Sequence, residues 1–419
     1  MTILRRFLLL LLPGLLCAGF VRSASTDDAQ YVFRSIDSSR GLSNNSVNAI
    51  LQDRFGFMWF GTKDGLDRYD GLSFLSFTKE KGTLGNNFVT SLYEDEQGFI
   101  WIGTDLGVYI YSPQTESIRR FTHRSNRNTL VDNAVNYITG DKSGRVWMAV
   151  QSQGIFCYDS SADSLVHRQT DGSGNIVFHG LERICFDNDN VCWLDLHDGN
   201  LYYSDNNLET LTPVAWQGEK PRWSYSTKII AGPYNCLYLG TVAGLQEINL
   251  TTKSVRTLLG KARSGRDDIF VRDMYFYSDD KLWVGTESGV YIYNLRTNKT
   301  THLPCVEGDP YSISDNAVYA LCKDKEGGMW IGTYFGGVNY FPKTYTCFHK
   351  FYPNALTDSF GKRVREFCAD SDGQLWIGTE DKGLFHYNPR TDEATPFRHP
   401  AITHNVHGLC LDGKYLWVS

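Results

Sequence analysis

One tetrapeptide recurs along the chain at nearly even intervals, and that interval constrains the fold more than any other feature. Trp59-Phe-Gly-Thr62 is repeated closely as Trp101-Ile-Gly-Thr104, Trp283-Val-Gly-Thr286, Trp330-Ile-Gly-Thr333 and Trp376-Ile-Gly-Thr379. Weaker copies stand at Trp147, Trp193 and Tyr238, and a ninth begins at Trp417. Successive aromatics from position 59 to 376 are separated by 42, 46, 46, 45, 45, 47 and 46 residues. A period in the mid-forties is the signature of a radial array of small sheets, because a β-solenoid uses much shorter repeats.

Within each period the pattern spells four short strands. In the first copy Val47–Asp53, Phe57–Thr62, Leu66–Tyr69 and Leu72–Thr78 alternate apolar and polar residues, with Gly and Asp clusters between them. No helical periodicity is sustained beyond residue 30. The expected fold is all-β: a seven-bladed β-propeller of four-stranded antiparallel blades, followed by the first one to two blades of a second propeller.

Register assigns the core. Twelve positions before each aromatic stand Val47, Val89, Val135, Leu181, Ser226, Val271, Val318 and Val364, and nine before it another apolar series from Ile50 to Phe367. These are read as first-strand residues packed between blades. The aromatic fills the wedge between blades, and its indole N–H requires a partner. Gly61 and its equivalents mark close backbone approach. Cys185, Cys322 and Cys368 occupy one repeat position where other copies carry Leu51, Tyr93 or Tyr275, so they read as small core residues. A Cys185–Cys192 bridge across one hairpin is the disulfide that spacing admits.

Residues 1–24 read as a secretory signal peptide, with Arg5 and Arg6 preceding an apolar run and a small-residue end. The alternative is an uncleaved anchor. Net charge is −6, and the three arginines of the leader leave about −9 for the rest, with no basic stripe. Nucleic acid is therefore not an expected partner. No cofactor, metal or catalytic motif is indicated.

Residues 31–37 resemble a fourth strand lacking its first three. A lone leading strand can complete the last blade of a ring and so remove exposed sheet edges. Residues 25–343 are accordingly expected to form the ring, with 31–37 pairing beside the repeat of Trp330. Residues 344–419 are expected to begin a second propeller within a longer protein.

The strings Gly41-Leu-Ser-Asn-Asn-Ser-Val47, Gly56-Phe-Met-Trp-Phe-Gly-Thr62, Asp64-Gly-Leu66 and Arg68-Tyr-Asp-Gly71 resemble the two-component regulator propeller family. Its members include hybrid sensor kinases of Bacteroides-type bacteria. The resemblance implies a periplasmic ligand-sensing region of an inner-membrane receptor that acts as a homodimer. It also implies a membrane helix, a histidine kinase and output regions beyond residue 419, so that this segment meets the membrane only through them.

A ligand site is expected where the repeat breaks its own rules. The fourth repeat carries His179, Arg183 and His197; the fifth carries Arg222, Trp223, Tyr225 and Lys228; the seventh adds Tyr334 and Phe335. Aromatic planes flanked by cations suit sugar rings that bear carboxylates or sulfates, so an oligosaccharide is the expected ligand. Lys63-Asp64 and Glu380-Asp381 read as solvated loop charges. Two competing readings are a protein-interaction propeller and a polysaccharide-degrading enzyme using carboxylates such as Asp195, Asp198, Glu287 and Glu380.

Overall fold

Alternation and punctuation produce sheets that follow one another in strict chain order. The computed structural model describes residues 31–419 apart from 124–130, 171–173, 175–177, 179–180, 182, 197–199, 205–207, 217–225, 261–268, 344–360, 362, 392 and 403. Blade one consists of Val47–Gln52, Met58–Thr62, Gly65–Tyr69 and Phe74–Phe77, hydrogen-bonded in that order. Blades two to six repeat this meander, ending with the strand Thr300–Leu303.

Blade seven takes only three strands from its own repeat: Val318–Lys323, Met329–Thr333 and Val338–Phe341. Its fourth is the leading strand Arg34–Ile36. That strand runs antiparallel to Val338–Phe341, with Arg34 opposite Tyr340 and Ile36 opposite Val338. Phe33, 3% exposed, fastens the strand by packing against Phe341 at 5.9 Å between ring centroids. The chain's own beginning therefore covers the edge of its last blade.

In five of the seven repeats a glycine two residues after the aromatic fixes the spacing between neighbouring blades, while blades three and four carry Ala149 and Asp195 there. A Cβ on Gly61 would lie 2.5 Å from the side chain of Val89 in blade two, and one on Gly285 would lie 2.7 Å from Val318 in blade seven. The same contact returns at the seam, where a Cβ on Gly332 of blade seven would lie 2.8 Å from Val47 of blade one. The ring is closed.

In five repeats the key tryptophan finds its hydrogen-bond partner in the turn that precedes its strand. Asp53 Oδ1 accepts from the amides of Phe55 and Phe57 at 2.9 and 3.0 Å, while Oδ2 accepts the Trp59 indole N–H at 2.8 Å. Asp95–Trp101, Asp141–Trp147, Asp187–Trp193 and Asp324–Trp330 repeat the indole bond at 2.8–3.0 Å. One carboxylate thus caps a turn and satisfies a buried donor, which explains the recurring Asp-x-x-Gly strings without calcium or catalysis. Blade five solves the problem differently: the Tyr238 hydroxyl donates to Glu247 at 2.9 Å.

Beyond the ring, residues 364–397 form another four-stranded sheet, and Leu409–Asp412 pairs with Tyr415–Val418. Here Phe367 is 61% exposed, whereas its ring counterparts Ile138, Ile184, Ile229 and Met274 are buried. All eight described cysteines are free thiols, Cys185 and Cys192 included. The admitted bridge is absent, and burial pushes both the Cys185 and the Cys322 thiol up to about 12. No helix among the described residues is long and apolar enough to cross a membrane. The leader, residues 1–24, lies outside the described residues.

Candidate functional site

In blade one, Val47 at the start of the first strand pairs with Thr62 at the end of the second. Loops before the first strand and after the second therefore share one face of the ring. Just inside that face the first strand bulges. The register skips one residue between Val47 and Ala49, and equivalent skips occur in blades two, three, five, six and seven. A bulge leaves one residue out of the ladder and re-aims its side chain. The displaced residues are Asn48, Thr90, Asn136, Thr227, Arg272 and Tyr319. Together with Arg183 of blade four, they line a cavity of about 320 Å³ at the mouth of the axial channel.

Four members of this ring serve the scaffold as well. Asn48, Thr90, Asn136 and Thr227 each donate to the backbone carbonyl of the key first-strand residue in the next blade, Val89, Val135, Leu181 and Val271, at 2.5–3.0 Å. The other three carry more functional chemistry. Arg183 reaches back to blade three, donating to the Asn136 carbonyl at 2.8 Å and lying 5.0 Å from the Tyr137 ring centre. Arg272 is held by Glu287, with Nε to Oε1 at 2.6 Å. Its guanidinium lies 4.7 Å from the Tyr319 ring centre. Tyr319 in turn packs on Tyr334 at 5.0 Å, and Tyr334 meets Phe335 edge-on at 4.5 Å. An aromatic arc thus runs from the channel to the outer rim.

Among the predicted residues, Arg183, Tyr334 and Phe335 come to this face, linked through Tyr319 and the channel wall. Lys228 lies deeper. Burial opposes its charge most strongly, but Asp273 at 2.7 Å and Tyr137 together outweigh that cost and hold its ammonium pKa above the ordinary lysine value. Asp273 also accepts the Leu321 amide at 2.8 Å. Lys228 therefore ties blades five, six and seven together around the channel. His179, His197, Asp198, Arg222, Trp223 and Tyr225 lie outside the described residues.

Two loop charges behave differently from the expectation of solvated groups. Lys63 donates to the Tyr334 hydroxyl across the seam between blades one and seven, with its Nζ 3.8 Å from the ring centre. Glu380 accepts from Arg365 Nε at 2.8 Å, and that bond holds its carboxyl below the usual range. Glu287 and Glu380 are thus each spent on an arginine of their own blade. Arg272 and Tyr319 escaped the sequence reading. Both stand eleven positions before the repeat aromatic, so tabulating that column would have exposed them.

Comparison with known proteins bears on these repeats. Residues 41–64, 83–105, 312–335 and 359–381 match the model of the two component regulator propeller. The chain carries two-component regulator propeller repeats. Over 52 residues it is 42% identical to histidine kinase P4 of Formosa agariphila, a stretch covering 12% of this chain and 4% of that protein. The extracellular domain of a putative hybrid two component system from B. thetaiotaomicron superposes with a TM-score of 0.72 at 23% identity, over 93% of this chain and 52% of that one. This chain thus spans about half the length of that domain. Virginiamycin B lyase from Staphylococcus aureus shares the fold more distantly, with a TM-score of 0.55 and 12% identity over 74% of this chain and 99% of the lyase. Likeness of fold by itself does not separate sensors from enzymes.

Proposed function

We propose that this chain is the exported, ligand-sensing part of a two-component sensor kinase, and that it takes an acidic oligosaccharide at the channel mouth. The carrying observation is the cavity that Arg183 shares with the bulge residues Arg272 and Tyr319, the last of which packs on Tyr334. Guanidinium groups match carboxylate or sulfate geometry in pairs of hydrogen bonds, and tyrosine rings cover the apolar faces of sugars. The regulator propeller repeats and the hybrid-system neighbour support the sensor assignment. In this reading the bound glycan favours one packing of the propellers in a receptor homodimer. The same reading places a kinase beyond residue 419.

Titration calorimetry tests the proposal. The chain is titrated with tetrasaccharides from polygalacturonate, hyaluronan and heparin, and with neutral glucan tetrasaccharides. Saturable binding of an acidic member, weakened at least about tenfold in Arg183→Ala and Arg272→Ala, is expected. Equal preference for the neutral glucans, or insensitivity to both substitutions, refutes the proposal. Release of shortened or unsaturated products identifies an enzyme instead.

A further inference from the structure

Lys63, Tyr334 and Phe335 also border a second hollow of about 450 Å³, at the seam where blade one meets blade seven. Its blade-one wall is hydroxyl and amide: Asn44, Asn45 and Ser46 lie beside Lys63. Most of these groups are already engaged. Asn44 accepts the Ser46 amide at 2.7 Å and donates to Asp64 at 2.6 Å, and Asn45 accepts the Ser38 amide at 2.8 Å.

Ser46 is the exception. It is 4% exposed, yet its hydroxyl has no hydrogen-bond partner among the described residues. A buried hydroxyl without a partner is unfavourable, so a ligand in the hollow that draws the Ser46 side chain round toward it would satisfy this group. Opposite it stands Phe335, 73% exposed although apolar. The loop that carries it is anchored, with the Phe335 amide donating to Asp315 at 2.9 Å and the ring set at 86° to Tyr334. A fixed, solvent-facing aromatic ring across from hydroxyl and amide groups is the arrangement that receives a sugar: the ring face covers C–H groups while the polar wall meets hydroxyls.

We infer that the seam hollow is a pocket for a single sugar ring, stacked on Phe335, hydrogen-bonded by Ser46, and preferred in its carboxylated form through Lys63. The inference rests on the oligosaccharide reading above and assigns one terminal residue of that ligand. The pocket draws one wall from each of the two blades that meet where the ring closes. An occupant therefore bridges the seam and stabilises the closed ring by mass action.

Saturation-transfer NMR and thermal melts with methyl glucuronoside and methyl glucoside test it on the full chain. The wild type should show transfer to both probes, stronger for the glucuronoside, and a melting temperature that rises with its concentration. Phe335→Ala, a surface change that leaves the fold intact, should weaken glucuronoside binding at least about tenfold. Ser46→Ala should weaken it several-fold, and Lys63→Gln should remove the preference for the acid. No transfer at all, or signals equal in wild type and Phe335→Ala, overturns the pocket. If the acidic tetrasaccharides still bind and still require Arg183, that failure belongs to the seam alone. Monosaccharide binding that needs Phe335, without any tetrasaccharide binding, keeps the pocket and removes the channel-mouth reading.

Discussion

Replacing Phe33 with alanine tests the closure on which both sites depend. Phe33 is 3% exposed in a core with Trp283, Ile313, Leu321 and Ile331. The strand it leads is only three residues long, and Arg34 and Ser35 in it are exposed. Tyr31, whose ring packs on Trp283 and Phe341, and the half-buried Ile36 add the other apolar contacts. Truncating a buried phenylalanine costs about 3–5 kcal/mol. For a domain of this size each kcal/mol lowers Tm by about 2 °C, so a fall of about 6–10 °C is expected. Phe33→Leu, which keeps most of the volume, should cost less than about 1.5 kcal/mol. Thermal melts give the first number, and amide exchange gives the location, because the amides of Val338–Phe341 should lose protection in Phe33→Ala before those of blade three. A fall under about 2 °C with unchanged exchange at the seam would show that the leading strand contributes little to closure, contrary to the packing described.

Gly332→Ala should destabilise the ring by about 1–3 kcal/mol through overpacking, since the new Cβ would meet Val47 at 2.8 Å. Val47→Ala in the same molecule should recover part of that loss, and a double-mutant cycle in urea with no coupling would refute the contact. Alkaline pH provides a separate test. Burial pushes the thiols of Cys157, Cys185 and Cys322 from 9.0 to about 12. From pH 9 upward the unfolded chain loses these protons while the folded chain keeps them. The stability they confer is complete below pH 9 and declines as pH rises toward 12, by about 1.4 kcal/mol per pH unit for each thiol. Urea midpoints at pH 8, 9 and 10 should therefore fall, and Cys322→Ala should make the fall shallower; a midpoint independent of pH contradicts the burial of these groups.

The scaffold was legible because its rules repeat. Trp59 and its copies, the apolar residue twelve positions earlier and the glycine two residues later recur in most repeats, since each fills the same space between two blades, with Ser226, Ala149 and Asp195 as the departures. The leading segment from Tyr31 to Asp37 could be placed beside the seventh blade because a ring must hide its last edge. The anchoring role of Phe33 within it depended on packing that spacing does not record. The channel mouth was harder to read. Asn48, Thr90, Arg272 and Tyr319 share a position but no side-chain chemistry, and a bulge places them where simple alternation predicts no special direction. Lys63 looked like an ordinary loop charge because its partner, Tyr334, lies 271 residues away. The aspartates of the turns could be recognised as structural from their recurrence, but their bond to the indole required coordinates.

The bulge has a consequence for how such a molecule can change. A residue outside the ladder carries none of the sheet's pairing, and its one scaffold duty, a bond to the neighbouring blade's carbonyl, is met equally by asparagine or threonine. Positions around the pore can thus be rewritten one at a time while the wheel beneath them stays the same, so descendants of one ancestral propeller can acquire new surface chemistry without first solving the folding problem again.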